Sequence, residues 1–546
     1  MNRERRAAVV AAVIVMAIAA WVYWPAVHNL FLFWDDMDCL KRAMLDRSFT
    51  LDRVWTILTS PYLSNYHPLT TLSHALACRL WGMNPAPHHV VNLLLHAINT
   101  GLVAAFVWIL FGASRTFDAR EQLAVTTFVS LAFAIHPLQV ESVAWMAELK
   151  TLLCASFSLA CLIAYVKGAR VATAVLFALA LLSKAMAVPL PAVMLLMDYY
   201  PLRREAKTGW RGLVKEKVPL FAMGAAAGVI AIMAQAGRHA TMSLQQLSVA
   251  ARCLVAARGI VFYVWKLFWP VALSPYYPLE GTISLREAEF SVSIVLCVVV
   301  SGLAVWQWRR WPGLFVAWFA YLALVTPTSG IVQAGGQAAA DRYMYLSMLP
   351  LLLGVGWGMV FAWRKFTPVG RLALAVMLVC NFAFWGLKTR AQIGVWQDDE
   401  ALWGAVLAYF PQSARANENM AMALARQGRA DEAEPFANYA VQANPKDPMF
   451  RTTRGLINLS RHCYDEALAD FEVALRSDPD MVVARYDLAC ALSRLGRTQD
   501  ALVALREAVS RDAEYASLAQ RDEDLANLRN DPQLAGQLRE LTGPMP

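Results

Sequence analysis

Two adjacent acids stand where the first long apolar run of the chain ends. In FLFWDDMDCL, Asp35 and Asp36 sit among aromatic side chains. Carboxylates this close to a bilayer are costly to ionise and usually serve a function. One within hydrogen-bond reach of a hydroxyl can take its proton as attack develops. Three other places set charge against apolar segments. AIHPLQVESVAWMAELK carries Glu141, Glu148 and Lys150 behind a His136-Pro137 turn. Lys184 interrupts LLSKAMAVPLP, and AADRYMYLSMLP puts Asp341 and Arg342 before an apolar helix. Cations so placed suit a phosphate, whose developing negative charge they stabilise. Arg258 and Lys266, in segment 250–270, are further phosphate candidates, with ordinary lipid-headgroup binding as the competing role. Seven of the nine histidines lie between His28 and His136. His67, His74, His88 and His89, with Asp35 or Asp36, could hold a divalent metal. No helical HxxxH spacing is present, and interfacial hydrogen bonding is the favoured role. Trp34, Tyr66, Trp145, Tyr276 and Tyr277 could stack on a sugar or line a lipid path; the alternative is an interfacial aromatic belt. Cys39 and Cys78 could form a disulfide.

Elements that could position these residues follow from composition. The 546 residues are 58% hydrophobic and only 16% charged, whereas soluble chains carry about a quarter charged residues. From Pro411 onward there are 16 Lys/Arg against 21 Asp/Glu, a charge of −5; the preceding residues carry 33 and 20, or +13. Much of the basic excess falls in short loops between apolar runs, which argues against a nucleic-acid partner. NRERR followed by Ala7–Trp24 has no small-residue cleavage site and reads as an uncleaved first membrane helix. Spans of about 20 apolar residues are expected near 7–24, 89–112, 122–136, 151–166, 171–185, 187–200, 218–236, 289–306, 311–326, 343–363 and 371–387. If 250–270 lies in the interface, basic loops at Arg115/Arg120, Lys167/Arg170, Arg203 to Lys217, Arg309/Arg310 and Arg364/Lys365/Arg371 share the cytoplasmic side. The topology then has eleven spans, with the N-terminus inside. Residues 25–88, 137–150, 237–288, 327–342 and everything after about 388 lie outside, on the extracytoplasmic side of a plasma (inner) membrane.

Pro411, Pro445 and Pro479 recur at a spacing of 34, as do Ala433, Ala467 and Ala501, and Ala440, Ala474 and Ala508. Gly428 and Gly496 lie two periods apart with His462 between them. This is the tetratricopeptide (TPR) signature. It predicts an all-α chain: a polytopic helical bundle over 1–390, a linker over 391–412, and a TPR α-solenoid over 413–546 with three repeats and a capping helix. Such an array presents a concave surface for a protein or peptide; a spacer is the other reading.

The ordered set FWDD (Phe33–Asp36), NYHPLT, HHVVNLLLHA, HPLQVESVAW, LLSKAMAVPLP, KLFWPVALSPYYP and DRYMYL, followed by TPRs, resembles the transmembrane and TPR-containing O-mannosyltransferases and their bacterial relatives. The resemblance covers nearly the whole chain. It implies a GT-C glycosyltransferase bundle with a large first outside loop. It also implies a sugar donor carried on polyprenyl phosphate, a hydroxyl acceptor on an exported protein, and no metal. One acid of the early pair would be the base, here Asp35 or Asp36, with Asp35 favoured. Arg342, Lys184, Lys150, Arg258 and Lys266 are the donor-phosphate candidates; His67, His136, Glu141, Tyr66 and Trp145 are the substrate-binding ones. Ala185 stands where relatives often carry Glu, and the array is short; both bear on the sugar and acceptor class. The same fold could instead glycosylate a lipid or a cell-surface polysaccharide. A non-enzymatic TPR scaffold would need no charges gathered on one face. A transporter is disfavoured, because the membrane half shows no internal repeat.

Overall fold

Backbone N–H and C=O groups in lipid must be satisfied within the segment, so apolar runs fold as helices. The computed structural model is helical almost throughout. It describes residues 3–61, 65–114, 116–236, 246–331 and 335–543. Arg115, counted above among the cytoplasmic charges, lies outside the described residues, as do 237–245 and 332–334 of the expected outside loops. The chain divides into two units, Met1–Ala401 and Leu402–Pro546.

In the first unit, seven helices among the described residues are long and apolar enough to cross a membrane. They are Arg3–His28, Pro85–Ser114, Met146–Val166, Glu205–Gln235, Ala288–Trp306, Asp341–Lys365 and Pro368–Gly394. Ala119–Ile135 and Pro137–Ala144, bent by 53° at His136, make an eighth if taken as one span. The remaining three expected positions hold shorter apolar helices, Arg170–Ser183, Ala185–Tyr199 and Pro312–Thr328. The helix Val249–Phe268 is not among the seven; it carries Arg252, Arg258 and Lys266. The chain is thus a multi-pass membrane protein.

Breaks in these helices create the site. Asp118 caps Ala119–Ile135 by accepting from the Arg120 and Glu121 N–H groups, and Glu121 returns a bond to the Asp118 N–H, a capping box. That helix stops at His136, which adopts an extended backbone before Pro137, as residues before proline do. The chain then turns through Val140–Ala144 and Met146–Glu148 into Leu149–Val166. Lys184 is likewise extended (φ −163°, ψ 134°) between two apolar helices. Tyr277–Pro278 pairs antiparallel with Gln337–Ala339, bringing the 270s loop beside Asp341. Cys78 packs in an apolar cluster with Leu40, Ala43 and Met146, and both Cys39 and Cys78 are free thiols, so the disulfide considered above is absent.

The second unit contains three helix pairs: Ala414–Arg426 with Ala430–Ala443, Pro448–Ser460 with Tyr464–Ser477, and Val482–Arg494 with Thr498–Arg511. Ala433, Ala467, Ala501, Ala440, Ala474 and Ala508 are buried between them. The first helix of each pair is followed at the same period by Gly428 (φ 75°), His462 (φ 63°) and Gly496 (φ 77°), the left-handed residue that closes many helices. Short helices Glu514–Ala519, Ala526–Arg529 and Ala535–Thr542 close the end. The stretch expected as a linker, 391–412, holds the end of Pro368–Gly394 and a helix Asp399–Tyr409.

Candidate active site

The acid pair divides into two environments. Helix Asp36–Asp46 starts at the pair, with Asp35 at its N-cap making no side-chain cap bond. Asp36 is fully buried. Its Oδ2 accepts from the Leu32 N–H and its Oδ1 from the Ala147 N–H, both at 2.9 Å. It therefore ties the first loop to the turn that precedes Glu148. Burial raises its pKa to about 7, outweighing the two N–H groups that favour the carboxylate. Asp35 is only half-buried, and its charge acts on both Asp36 and Lys150. The residue before the pair, Trp34, stacks on Trp145 with ring centroids 4.9 Å apart. Trp145, 1% exposed, stacks in turn on Trp396 at 5.5 Å.

Beside this stack, three cations from three separate segments converge on Glu148. Lys150 Nζ lies 3.2 Å from Oε1, Lys184 Nζ 3.1 Å from Oε2, and Arg342 Nε 3.6 Å from Oε1. Lys184 also donates to Thr151 Oγ1 at 2.7 Å, and Thr151 donates to Glu148. Arg342 forms a close ion pair with Glu141, which also accepts from the Arg342 backbone N–H at 2.8 Å. Its guanidinium sits 5.4 Å from the Trp145 ring centroid and 5.0 Å from that of Tyr343. All five charged groups are largely buried. Such charges survive in a low-dielectric interior only when paired. Counting the two glutamates against three cations leaves one positive charge in excess. Asp341, next to Arg342, accepts from Tyr277 Oη at 3.0 Å.

The structure thus gathers Arg342, Lys184, Lys150, Glu141 and Trp145, and sets Asp35 and Asp36 beside them. His67 lies within reach of the same charges. Burial first, then the Lys150 and Lys184 charges, lower its pKa to about 3, so the ring is neutral at ordinary pH. Other expected site residues are engaged elsewhere. Arg258 Nε pairs with Glu289 Oε2 at 2.7 Å, because both stand on the facing surfaces of Val249–Phe268 and Ala288–Trp306. Lys266 donates to the carbonyls of Val271 and Ala272, closing the turn after its helix. His136 bonds the Leu267 carbonyl at 2.9 Å and accepts from the Leu138 N–H, so it holds the bend. Tyr66 donates to the Leu58 carbonyl at 2.7 Å. Among the described residues, no three His, Cys, Asp or Glu side chains form a metal-ligand set. Glu148 is the hub, although the family resemblance assigns it no role; its signal in the sequence is its charge two residues from Lys150, between two apolar runs.

Two tetratricopeptide-repeat families match the second unit, over residues 399–448 and 459–521. The chain is similar to human Protein O-mannosyl-transferase TMTC2, 35% identical over 133 residues that are 24% of this chain and 15% of that protein. It is also similar to human Protein O-mannosyl-transferase TMTC1, 23% identical over 436 residues, 70% of this chain and 48% of the relative. Protein O-mannosyl-transferase F38B6.6 of Caenorhabditis elegans is 23% identical over 406 residues, 71% and 55% of the two chains. Matches covering 70% of the chain extend well into the membrane unit. The chain spans about half the length of these two longer-matching relatives and a smaller part of TMTC2. It is TMTC-like and carries TPRs.

Proposed function

We propose that this chain is a membrane glycosyltransferase that moves mannose or another hexose from a polyprenyl-phosphate donor to Ser/Thr hydroxyls of exported proteins. The observation that carries the reading is the half-buried Asp35 standing beside three cations gathered on one buried carboxylate. Similarity to proteins named O-mannosyl-transferases supports the reaction class.

In this account the acceptor oxygen attacks the anomeric carbon of the donor while Asp35 takes the hydroxyl proton. The sugar–phosphate bond breaks on the opposite face, inverting the anomeric centre. Polyprenyl phosphate departs with an extra negative charge, which Arg342, Lys184 and Lys150 stabilise; preorganised charges of this kind are often the largest catalytic term. Glu148 and Glu141 act as positioning residues that hold the three cations together. Asp36 is the positioning acid of the pair, because both its oxygens are already used by backbone N–H groups. Trp34, half-buried and backed by the stacked Trp145, offers a flat apolar surface suited to a sugar ring. The TPR array binds the acceptor and lies on the extracytoplasmic side of a plasma membrane. Asp35→Asn, assayed with labelled polyprenyl-phosphate sugars and unmodified envelope proteins, is the test. Loss of transfer from a folded variant supports the assignment, and retained transfer removes Asp35 as base.

A further inference from the structure

A groove of 450 Å³ runs along helix Leu190–Tyr199, from Ala192 to Tyr199, against helix Pro312–Val325. Its lining is apolar and aromatic and includes Leu196, Tyr199, Trp210, Trp308, Phe315 and Phe319. Tyr199 stacks on Trp308 at 5.5 Å and on Trp210 at 6.2 Å, so the wall is stiff. Two arginines flank its mouth. The Arg309 guanidinium lies 5.3 Å from the Trp308 ring centroid, and the charges of Arg203 and Arg309, with that of Glu205, act on Tyr199. Both arginines are exposed and neither forms an ion pair among the described residues. The neighbouring Arg204 is different: it is tied to Asp198 and Glu216 at 3.0 Å each.

We propose that this groove is a selective site for an anionic phospholipid, with an acyl chain against the aromatic wall and the phosphate between Arg203 and Arg309. The complement is direct: an apolar slot between helices that ends at two unpaired guanidiniums matches a chain ending in a phosphate, and basic pockets between membrane helices bind anionic headgroups. A neutral phospholipid would fill the slot but leave the net charge of the mouth uncompensated. The inference does not depend on the proposed reaction and uses none of its residues.

The test is native mass spectrometry of the full chain with phosphatidylglycerol, phosphatidylcholine and soluble glycerol phosphate. Phosphatidylglycerol should be retained over phosphatidylcholine roughly tenfold or more, since each well-placed basic residue adds several-fold to anionic-lipid attraction. Arg203→Gln with Arg309→Gln should bring that ratio to near one, and Arg203→Lys with Arg309→Lys should keep it. Equal retention of the two lipids by the unsubstituted chain, or an unchanged ratio in the Gln variant, overturns the proposal. Displacement of phosphatidylglycerol by glycerol phosphate also overturns it, because the groove would then contribute nothing.

Discussion

Replacing Asp36 by Asn should change how stability responds to pH in a way opposite to the loss of a salt-bridged acid. A salt-bridged carboxylate has a depressed pKa and adds stability above its unfolded value. Among the described residues no cation is bonded to Asp36; burial raises its pKa from 3.8 to about 7. The unfolded chain therefore gives up this proton more readily than the folded one. Its contribution is fully present below about pH 4 and is lost as pH rises through 7. A shift of roughly three units corresponds to about 4 kcal/mol, a cost the folded state carries when Asp36 is ionised. Asn removes the ionisation and keeps one oxygen to accept a backbone N–H. It leaves the other N–H facing an amide donor, a pH-independent cost of about 1–3 kcal/mol. Thermal unfolding of both proteins in one detergent from pH 4 to pH 8 isolates the term, because other groups cancel in the difference. The wild type should lose stability relative to Asp36→Asn by about 4 kcal/mol across that range, mostly between pH 4 and 7. Parallel curves, or a wild type that gains on the variant as pH rises, would refute the assignment of Asp36 as a buried, desolvated staple.

Arg342→Ala should destabilise the chain by about 3–5 kcal/mol by leaving Glu141 buried without its partner. Arg342→Ala with Glu141→Ala should recover much of that loss in a double-mutant unfolding cycle. In the repeat unit, a Cβ on Gly455 would lie 2.6 Å from the Phe471 ring, so Gly455→Val should cost at least about 1–3 kcal/mol, read as a fall in the helical melting temperature. His462 holds a left-handed backbone where the flanking repeats use glycine; His462→Gly should stabilise the same transition by about 1 kcal/mol, less whatever the exposed Tyr464 hydrogen bond to its ring contributes.

Local patterns made some of this visible in the sequence, and three-dimensional pairing made the rest invisible. The 34-residue spacing of Ala433, Ala467 and Ala501 is a direct consequence of helix pairs that must approach closely, so the repeats could be read from one chain. Lys184 and Arg342 were legible for a related reason: a cation interrupting an apolar run near a helix end needs a partner. That their common partner is Glu148 was not legible, since Lys184 is 36 residues and Arg342 194 residues from it. Arg258 looked equivalent to them by type and setting. Its answer was Glu289, 31 residues away across a helix pair, a relation that no period encodes. The difference between Asp35 and Asp36 also arises only in the fold, because adjacent identical residues are separated only by which one points at Leu32 and Ala147. Span length was readable only in part: three of the apolar helices are shorter than the roughly 20 residues that a perpendicular crossing needs.

The most direct test of the central claim is sugar transfer by the purified full chain, comparing Asp35→Asn with Asp36→Asn. Labelled polyprenyl-phosphate sugars would serve as donors and unmodified envelope proteins as acceptors. The account predicts transfer by the wild type, a loss of roughly 10²–10⁴-fold in Asp35→Asn, the range typical of removing a general base, and a smaller loss in folded Asp36→Asn. Full activity in Asp35→Asn, or no transfer to protein from any such donor by folded wild type, would contradict it.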